Sequence, residues 1–385
     1  MRTTPYRQCV RCVMDTSDPE IRFAGDGTCN HCTRQLARMA QLVALGRAGS
    51  QHLDAAIERI KRIGKGRRYD AVLGISGGVD SSFLALFLKA RGVRTLLVHM
   101  DNGWDTAGAV RNIGSVAAKT GFDYASHVLD WAEFRALQLA FLKASVVEAE
   151  TPTDVAIAGA IHRIARRHGV RTIISASNEA SEGILPKLWH YDAKDIRYLR
   201  GIYQQFAAAR IRHLPTFGFA TQLYYKLVAR IGPVYLLNYL EYDRASALAQ
   251  LNAELDWHDY GGKHHESLFT KFVQSYLLPV KFDLDYRKAT FSSLICAGRM
   301  TRQAALEQLA EPPTTRPKSN RRKLTSRASW GLHGTNWNGS SSSPAATTAT
   351  IPTTKSGSAW FIAFTSGSAV LAQGTARHLD PETLP

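Results

Sequence analysis

The apolar stretch Asp70-Ala71-Val72-Leu73-Gly74-Ile75 runs directly into Ser76-Gly77-Gly78-Val79-Asp80-Ser81-Ser82, and that in turn into Phe83-Leu84-Ala85-Leu86-Phe87-Leu88. This order predicts a strand, a glycine loop and a helix. Two adjacent glycines let the backbone turn sharply and gather several N–H groups on one anion, and the positive end of the following helix adds to the attraction. The loop therefore reads as a phosphate cradle. It lacks the Gly-x-x-x-x-Gly-Lys-Ser/Thr spacing of Walker loops and the Gly-x-Gly-x-x-Gly spacing of dinucleotide folds. A plain Gly-Gly turn is the bland alternative, but it leaves unexplained the acid Asp80 and the hydroxyls of Ser81 and Ser82 at the helix start.

Apolar strands and amphipathic helices alternate from this point. The pattern predicts strand 70–75, helix 81–91 closed by Gly92, strand 94–99, helix 105–119 closed by Gly121, a strand near 124–129, helices near 131–147 and 154–167, and strand 170–176. Such alternation implies an α/β fold with a doubly wound parallel sheet, whose ligands lie at the carboxyl ends of the strands. Two polar segments fall at those ends. Asp101-Asn102-Gly103-Trp104 follows the second strand, where Asp101 can meet the ribose or base of a nucleotide. Residues 177–183 follow the last strand, where Asn178 and Glu179 can orient a substrate or a metal.

Four of the five cysteines form the pairs Cys9/Cys12 and Cys29/Cys32, separated by sixteen residues. Paired Cys-x-x-Cys knuckles at this spacing point to a structural Zn²⁺ site, with Gly25-Asp26-Gly27 turning the chain back to close the tetrahedron. His31, inside the second pair, is expected to support the site rather than ligate.

The chain has 385 residues, 45% of them hydrophobic, enough for two or three domains. No apolar run reaches the roughly 18 residues that cross a bilayer, and the start lacks a signal core, so the reading is cytoplasmic. The net charge is +16, but eight basic and two acidic residues lie from Thr314 onward, leaving 40 basic against 30 acidic before it. A moderately basic body suits nucleotides, sugar nucleotides or RNA equally.

The expected organisation is a zinc knuckle over 1–40, a connector helix over 41–66, a nucleotide-binding domain over 67–200, a mainly helical substrate or partner region over 201–313, and a low-complexity tail over 314–385. Between about 200 and 240 the chain is apolar with interleaved Arg and Lys, interrupted by Gly232-Pro233, and reads as core helices under a loop. Asp259-Tyr260-Gly261-Gly262-Lys263-His264-His265-Glu266 then reads as a second anion-ready terminus, with Lys-His-His-Glu as a first helical turn. Lys263 can neutralise a phosphate, His264 or His265 can move a proton, and Glu266 can orient one of them. The last 72 residues, rich in Ser, Thr, Ala and Gly but carrying Trp330, Trp337 and Trp360, fit disorder or an out-of-frame segment.

The Ser76-Gly77-Gly78-Val79-Asp80-Ser81 stretch resembles the PP-loop of the ATP pyrophosphatases. The knuckle, that loop, Asp101-Asn102-Gly103-Trp104, Leu237-Asn238-Tyr239, residues 260–267 and residues 294–302 occur in the order found in the N-acetyl sugar amidotransferases of lipopolysaccharide and O-antigen synthesis, and over residues 5–313 the chain resembles that family. From Thr314 it is expected to depart from it. The resemblance implies an ATP-dependent, AMP-forming enzyme that turns the acetamido group of a nucleotide-linked diacetamido sugar into an acetamidino group. It implies ATP, Mg²⁺ and Zn²⁺ as cofactors. Ser76, Gly77, Gly78, Asp80, Ser81, Ser82, Asp101 and Asn178 would hold ATP, with Asp80, Lys263, His264 and Glu179 catalytic and Cys9, Cys12, Cys29 and Cys32 on the metal.

No glutaminase nucleophile is recognisable, because the fifth cysteine, Cys296, sits in an apolar Leu-Ile-Cys stretch. Separate glutaminase and cyclase-like subunits are therefore expected to deliver ammonia, and no nucleic-acid partner is expected. The alternatives are a tRNA-thiolating PP-loop enzyme, which would normally carry further core cysteines, and a non-catalytic zinc- and nucleotide-binding protein.

Overall fold

A computed structural model describes residues 5–47, 49–190, 192–258 and 264–313. Helices α1 (Asn30–Arg47) and α2 (Gly49–Gly64) precede β1 (Ala71–Gly74), α3 (Val79–Ala90), β2 (Thr95–Asp101), α4 (Ala107–Thr120) and β3 (Asp123–Val128). Then come α5 (Trp131–Ala144), α6 (Thr151–Arg167), β4 (Thr172–Ile174), the short α7 (Glu179–Glu182), α8 (Ile196–Ala207), α9 (Phe219–Leu223) and β5 (Gly232–Val234). The chain continues through α10 (Arg244–Glu254), α11 (Leu268–Phe272), α12 (Leu278–Phe282), α13 (Arg287–Cys296) and α14 (Arg302–Ala310).

The five strands pair in parallel in the order β3-β2-β1-β4-β5. The sheet is thus doubly wound, as the alternation requires, and the order reverses between β1 and β4. That switch point opens a crevice at the carboxyl edge. Period-two alternation sends Ala71 and Leu73 of β1, Leu97 of β2 and Ile174 of β4 into one apolar cluster with α2, α3 and α10, while Val72, Leu96, Val98 and Ile173 join α6, Phe217 and Tyr225 on the other face. Local signals end the helices as expected. Thr106 and Asp130 cap α4 and α5 by accepting the N–H of Ala109 at 3.1 Å and of Glu133 at 2.8 Å, and Gly121 closes α4 at φ 67°.

Three expectations from periodicity change. The connector is two helices, and α1 starts inside the second cysteine pair and crosses residue 40, so the knuckle and the connector share a helix. Gly232-Pro233 does not merely interrupt a helical region: it forms the edge strand β5, where a proline is tolerated. The 201–240 stretch accordingly mixes helix, strand and turns, with Phe219, Leu223, Leu227 and Val228 exposed.

The amino-terminal knuckle docks on the carboxyl-terminal helices rather than standing apart. Arg302 donates through Nε to the carbonyl of Cys12 at 3.1 Å and through Nη2 to that of Cys9 at 3.1 Å. Lys288 pairs with the buried Asp15 at 2.6 Å, and Ser292 Oγ accepts the N–H of Val13 at 3.2 Å. Residues 314–385, expected to be a low-complexity tail, lie outside the described residues.

Candidate active site and metal centre

The loop after β1 takes the shape its glycines allow. Gly77 has φ +74°, and a Cβ there would overlap the carbonyl oxygen of Ala109 in α4; only glycine combines this backbone with so close an approach. The loop is tied internally, the N–H of Gly78 donating to Ser76 Oγ at 3.3 Å and Ser81 Oγ donating to the Gly78 carbonyl at 3.2 Å. Asn112 of α4 braces it from outside, donating to the carbonyls of Gly77 at 3.2 Å and of His258 at 3.0 Å. Ser82 is fully buried, and its hydroxyl finds no acceptor or donor among the described residues.

Beneath the loop both ring nitrogens of His99 of β2 face acceptors, Nδ1 lying 2.9 Å from the Ile75 carbonyl and Nε2 3.2 Å from Asp105 Oδ2. Burial works against its charge, but the bond and charge of Asp105 prevail and hold its pKa above the ordinary value. The ring thus buttresses the strand end from which the loop springs.

Asp80, in the first turn of α3, accepts the hydroxyl hydrogen of the buried Tyr242. Arg299, from the stretch before α14, is close enough to be influenced by Asp80, Asp243 and Tyr242; burial lowers its pKa, and these neighbours partly offset that. Sequence reasoning quoted Arg299 within a motif without giving it a role. The only signal available was a basic residue beside a glycine, Gly298, at φ +71°.

His264, His265 and Glu266 do not form a helical turn. Residues 264–266 form a turn, Ser267 makes a β-bridge to Asp105, and Ser267 caps the helix that starts at Leu268. Backbone bonds from Thr106 N–H to the Glu266 carbonyl at 2.9 Å and from Leu268 N–H to the Trp104 carbonyl at 2.8 Å lay this segment along the one that follows β2. The pairing brings Glu266 to the loop, where Ser76 Oγ donates to its Oε1 at 3.2 Å. His264, at φ +62°, has its Nε2 3.6 Å from Glu182 Oε1. Lys263 lies in residues 259–263, outside the described residues.

On the other side of the crevice Asn178 caps α7, its Oδ1 accepting the N–H of Ser181 at 3.0 Å. It is buried, and its Nδ2 has no acceptor among the described residues, a donor available to a ligand. Glu179 turns instead toward α1. Its carboxylate pairs with Arg38 at 2.9 Å and its carbonyl accepts from Gln35 at 2.8 Å; burial raises its pKa, and Arg38 opposes the rise. That engagement suits a brace between α1 and the crevice better than a proton carrier. Asp101, the acid expected at the nucleotide, accepts the N–H of Gly103 at 2.9 Å and so shapes its own turn.

The four knuckle cysteines are buried, and their sulfurs all lie within 4.8 Å of one another. Cys9 to Cys32 and Cys12 to Cys29 are each 3.8 Å apart, matching the edge of about 3.8 Å for a tetrahedron with Zn–S bonds of about 2.3 Å. The N–H groups of Cys12, Met14, Cys29 and Cys32 point at knuckle sulfurs at 3.3–3.5 Å, which disperses thiolate charge. A hydrogen bond from Cys12 lowers the pKa of Cys9 to about 6 and that of Cys29 to about 2, while Cys12 and Cys32 are pushed up. Thiols packed this way must share protons unless a dication replaces them, so the donor set fits Zn²⁺. His31 does not ligate; its Nε2 lies 2.6 Å from the buried Asp18. Cys296 sits 3.7 Å from Cys32, against the knuckle.

A family model described as tRNA methyl transferase HUP domain matches residues 70–146, and one described as LPS biosynthesis protein WbpG-like, C-terminal domain matches residues 266–330. The chain thus carries a HUP-type α/β segment followed by a WbpG-like lipopolysaccharide-biosynthesis segment. The WbpG-like match continues past Thr314, so the departure expected there comes no earlier than residue 331. No curated protein matches the sequence. Among solved structures, the NH3-dependent NAD synthetase of Campylobacter jejuni subsp. jejuni NCTC 11168 is 17% identical over 34% of this chain and 56% of its own, with a TM-score of 0.27. This chain thus spans little more than half of that protein. NMN synthetase from Francisella tularensis is 12% identical over 61% of this chain and 95% of its own, with a TM-score of 0.27. Among the described residues no helix is long and apolar enough to cross a membrane.

Proposed function

We propose that this protein is an ATP-dependent amidotransferase that converts the acetamido group of a nucleotide-linked sugar into an acetamidino group, in the synthesis of a bacterial surface polysaccharide such as O-antigen. The observation that carries the reading is the hydrogen bond from Ser76 to Glu266. It joins the first residue of the ATP-type loop to the first residue of the WbpG-like segment, so a sugar held by that segment would meet the α-phosphate of a nucleotide held by the loop.

The chemistry follows from what an amide resists. Its carbonyl oxygen is a poor leaving group until it attacks the α-phosphate of ATP, giving an O-adenylyl imidate and expelling pyrophosphate; ammonia then adds at the imidate carbon and AMP leaves. The N–H groups of Gly77 and Gly78 and the amino end of α3 would hold the pyrophosphate as its charge develops, where each charge-assisted hydrogen bond contributes roughly 1.5–3 kcal/mol. Arg299 is the cation for the same charge, in addition to Lys263. Two carboxylates beside an anion loop need a counter-ion, and Asp80, aimed by Tyr242, with Glu266 would hold Mg²⁺, which neutralises the leaving group. His264, beside Glu182, would take a proton from the incoming nitrogen. Zn²⁺ on Cys9, Cys12, Cys29 and Cys32 is structural.

The position of Cys296 favours this reading over tRNA thiolation. All five cysteines are buried, and the fifth lies against the knuckle, so sulfur transfer at the loop has no thiol to use. Ammonia is expected from separate glutaminase and cyclase-like partners. The test incubates the full chain with ATP, ammonium chloride and a panel of UDP- and CMP-linked diacetamido sugars. Sugar-dependent AMP and pyrophosphate are expected, with glutamine replacing ammonium only when the partners are added. AMP formation that requires tRNA and ignores the sugars would overturn the assignment.

A further inference from the structure

The segment between α5 and α6 reads Glu148-Ala149-Glu150-Thr151-Pro152-Thr153-Asp154. Glu150 is the residue before the first turn of α6, and Asp154 lies in that turn. Because α6 leads into β4, its amino end sits at the carboxyl edge of the sheet, the edge that carries the 76–82 loop. Here Glu148, Glu150 and Asp154 wall a cavity of about 40 Å³ together with Trp189, His190 and Tyr286. The volume admits a molecule the size of water or ammonia, being several times the roughly 10–15 Å³ that one small molecule needs.

The wall has an unusual balance of donors and acceptors. Glu150 accepts from Thr270 Oγ1 at 2.6 Å and Glu148 from Tyr198, but no Lys or Arg lines the cavity. Burial raises the pKa of all three carboxyls, most for Asp154, whose proton affinity the charge of Glu150 raises further; burial lowers that of His190. Trp189 is only 3% exposed, and its indole N–H finds no acceptor among the described residues. Carboxyl oxygens therefore offer to accept several hydrogens, and one buried N–H offers itself to a lone pair. Ammonia, with three N–H groups and one lone pair, complements that set. Neither potassium nor ammonium has a lone pair to receive the indole, but ammonium alone can give up a proton and become a molecule that does.

We propose that the cavity walled by Glu150, Asp154 and Trp189 captures ammonium and delivers ammonia to the 76–82 loop. This rests on the amidotransferase reading. An N–H bond of ammonium breaks, its electron pair stays on nitrogen as the lone pair that faces Trp189, and the proton goes to a carboxylate oxygen of Asp154, leaving two neutral groups in a low-dielectric site. Tyr286, on the cavity wall, is influenced by Glu182 as well as by Glu150 and Asp154, Glu182 neighbours His264, and Glu266 contacts Ser76.

Two measurements on the full chain decide the matter. In the first, thermal unfolding is followed in ammonium chloride and in potassium chloride at equal ionic strength. Ammonium is expected to raise the midpoint more than potassium does, and Asp154→Asn and Trp189→Phe to erase the difference. Equal shifts, or a difference that survives in both variants, refute the site. In the second, KM for ammonium is compared with KM for ATP in the sugar-dependent assay. Asp154→Asn should raise the ammonium value about 10- to 100-fold, the scale of one lost charge-assisted hydrogen bond, while hydroxylamine, already neutral, should lose far less. An unchanged ammonium KM, or equal losses for both nucleophiles, overturns the proposal. If the wild-type chain forms no sugar-dependent AMP, the amidotransferase reading fails, and the thermal comparison still judges the cavity by itself.

Discussion

Replacing Gly77 by alanine tests whether the glycine loop is a shaped cradle or an incidental turn. At φ +74° an L-residue costs roughly 1–2 kcal/mol. The added Cβ would also overlap the Ala109 carbonyl oxygen and come within 2.9 Å of its carbon and Cα, and forcing packed atoms apart costs typically 1–3 kcal/mol. A stiffer unfolded chain returns about 0.4–1 kcal/mol, so the net loss is about 1–5 kcal/mol. Gly66 supplies the control, since its φ is +76° but nothing lies within 4 Å of a Cβ there. Gly66→Ala should therefore show the backbone cost alone, about 0–1.6 kcal/mol after the same offset. Urea unfolding followed by tryptophan fluorescence gives both values, and equilibrium dialysis with ATP gives nucleotide affinity. Gly77→Ala is expected to be the less stable of the two and to lose ATP binding, while Gly66→Ala keeps it. Equal stability losses with unchanged ATP affinity would refute the argument from close approach.

Three further outcomes follow from the geometry. Metal analysis should find one zinc per chain, and Arg302→Ala, which removes the donor to the Cys9 and Cys12 carbonyls, should speed zinc loss to a chelator; an unchanged release rate would mean the clamp is idle. His162, buried with Nδ1 2.8 Å from the Ala158 carbonyl, has its pKa lowered by burial to about 4. The unfolded chain therefore binds the proton more tightly, and stability that is full above about pH 6.5 should fall by about 3 kcal/mol as pH drops toward 4; urea midpoints across that range should show a shallower slope in His162→Phe. Arg299→Ala should raise KM for ATP about tenfold or more, as loss of one charged contact to phosphate implies, with the zinc content unchanged; an unaltered KM would remove Arg299 from the phosphate site.

What could be read along the chain was what neighbouring residues impose on one another. A glycine pair between apolar runs, hydroxyl and acid caps, and cysteines three apart act within a turn or two, so the parallel sheet, the loop and the knuckle were legible as motifs. Helical spacing misled at His264-His265-Glu266, because pairing with the segment after β2 claims the backbone there, Glu266 through its carbonyl to Thr106 and Ser267 through a β-bridge to Asp105. It also failed at Gly232-Pro233, because an edge strand needs only a neighbour to pair with.

The sequence alone determined that a phosphate-type loop and a four-cysteine knuckle exist, since both follow from local backbone freedom and ligand spacing. Only the tertiary structure decided what each one meets. Ser76 and Glu266 are 190 residues apart, Arg302 reaches back 293 residues to Cys9, and Trp189 closes a cavity with acids from another element. Contacts at such separations are set by how the sheet, the crevice and the terminal helices pack, and no local pattern encodes the distance between them.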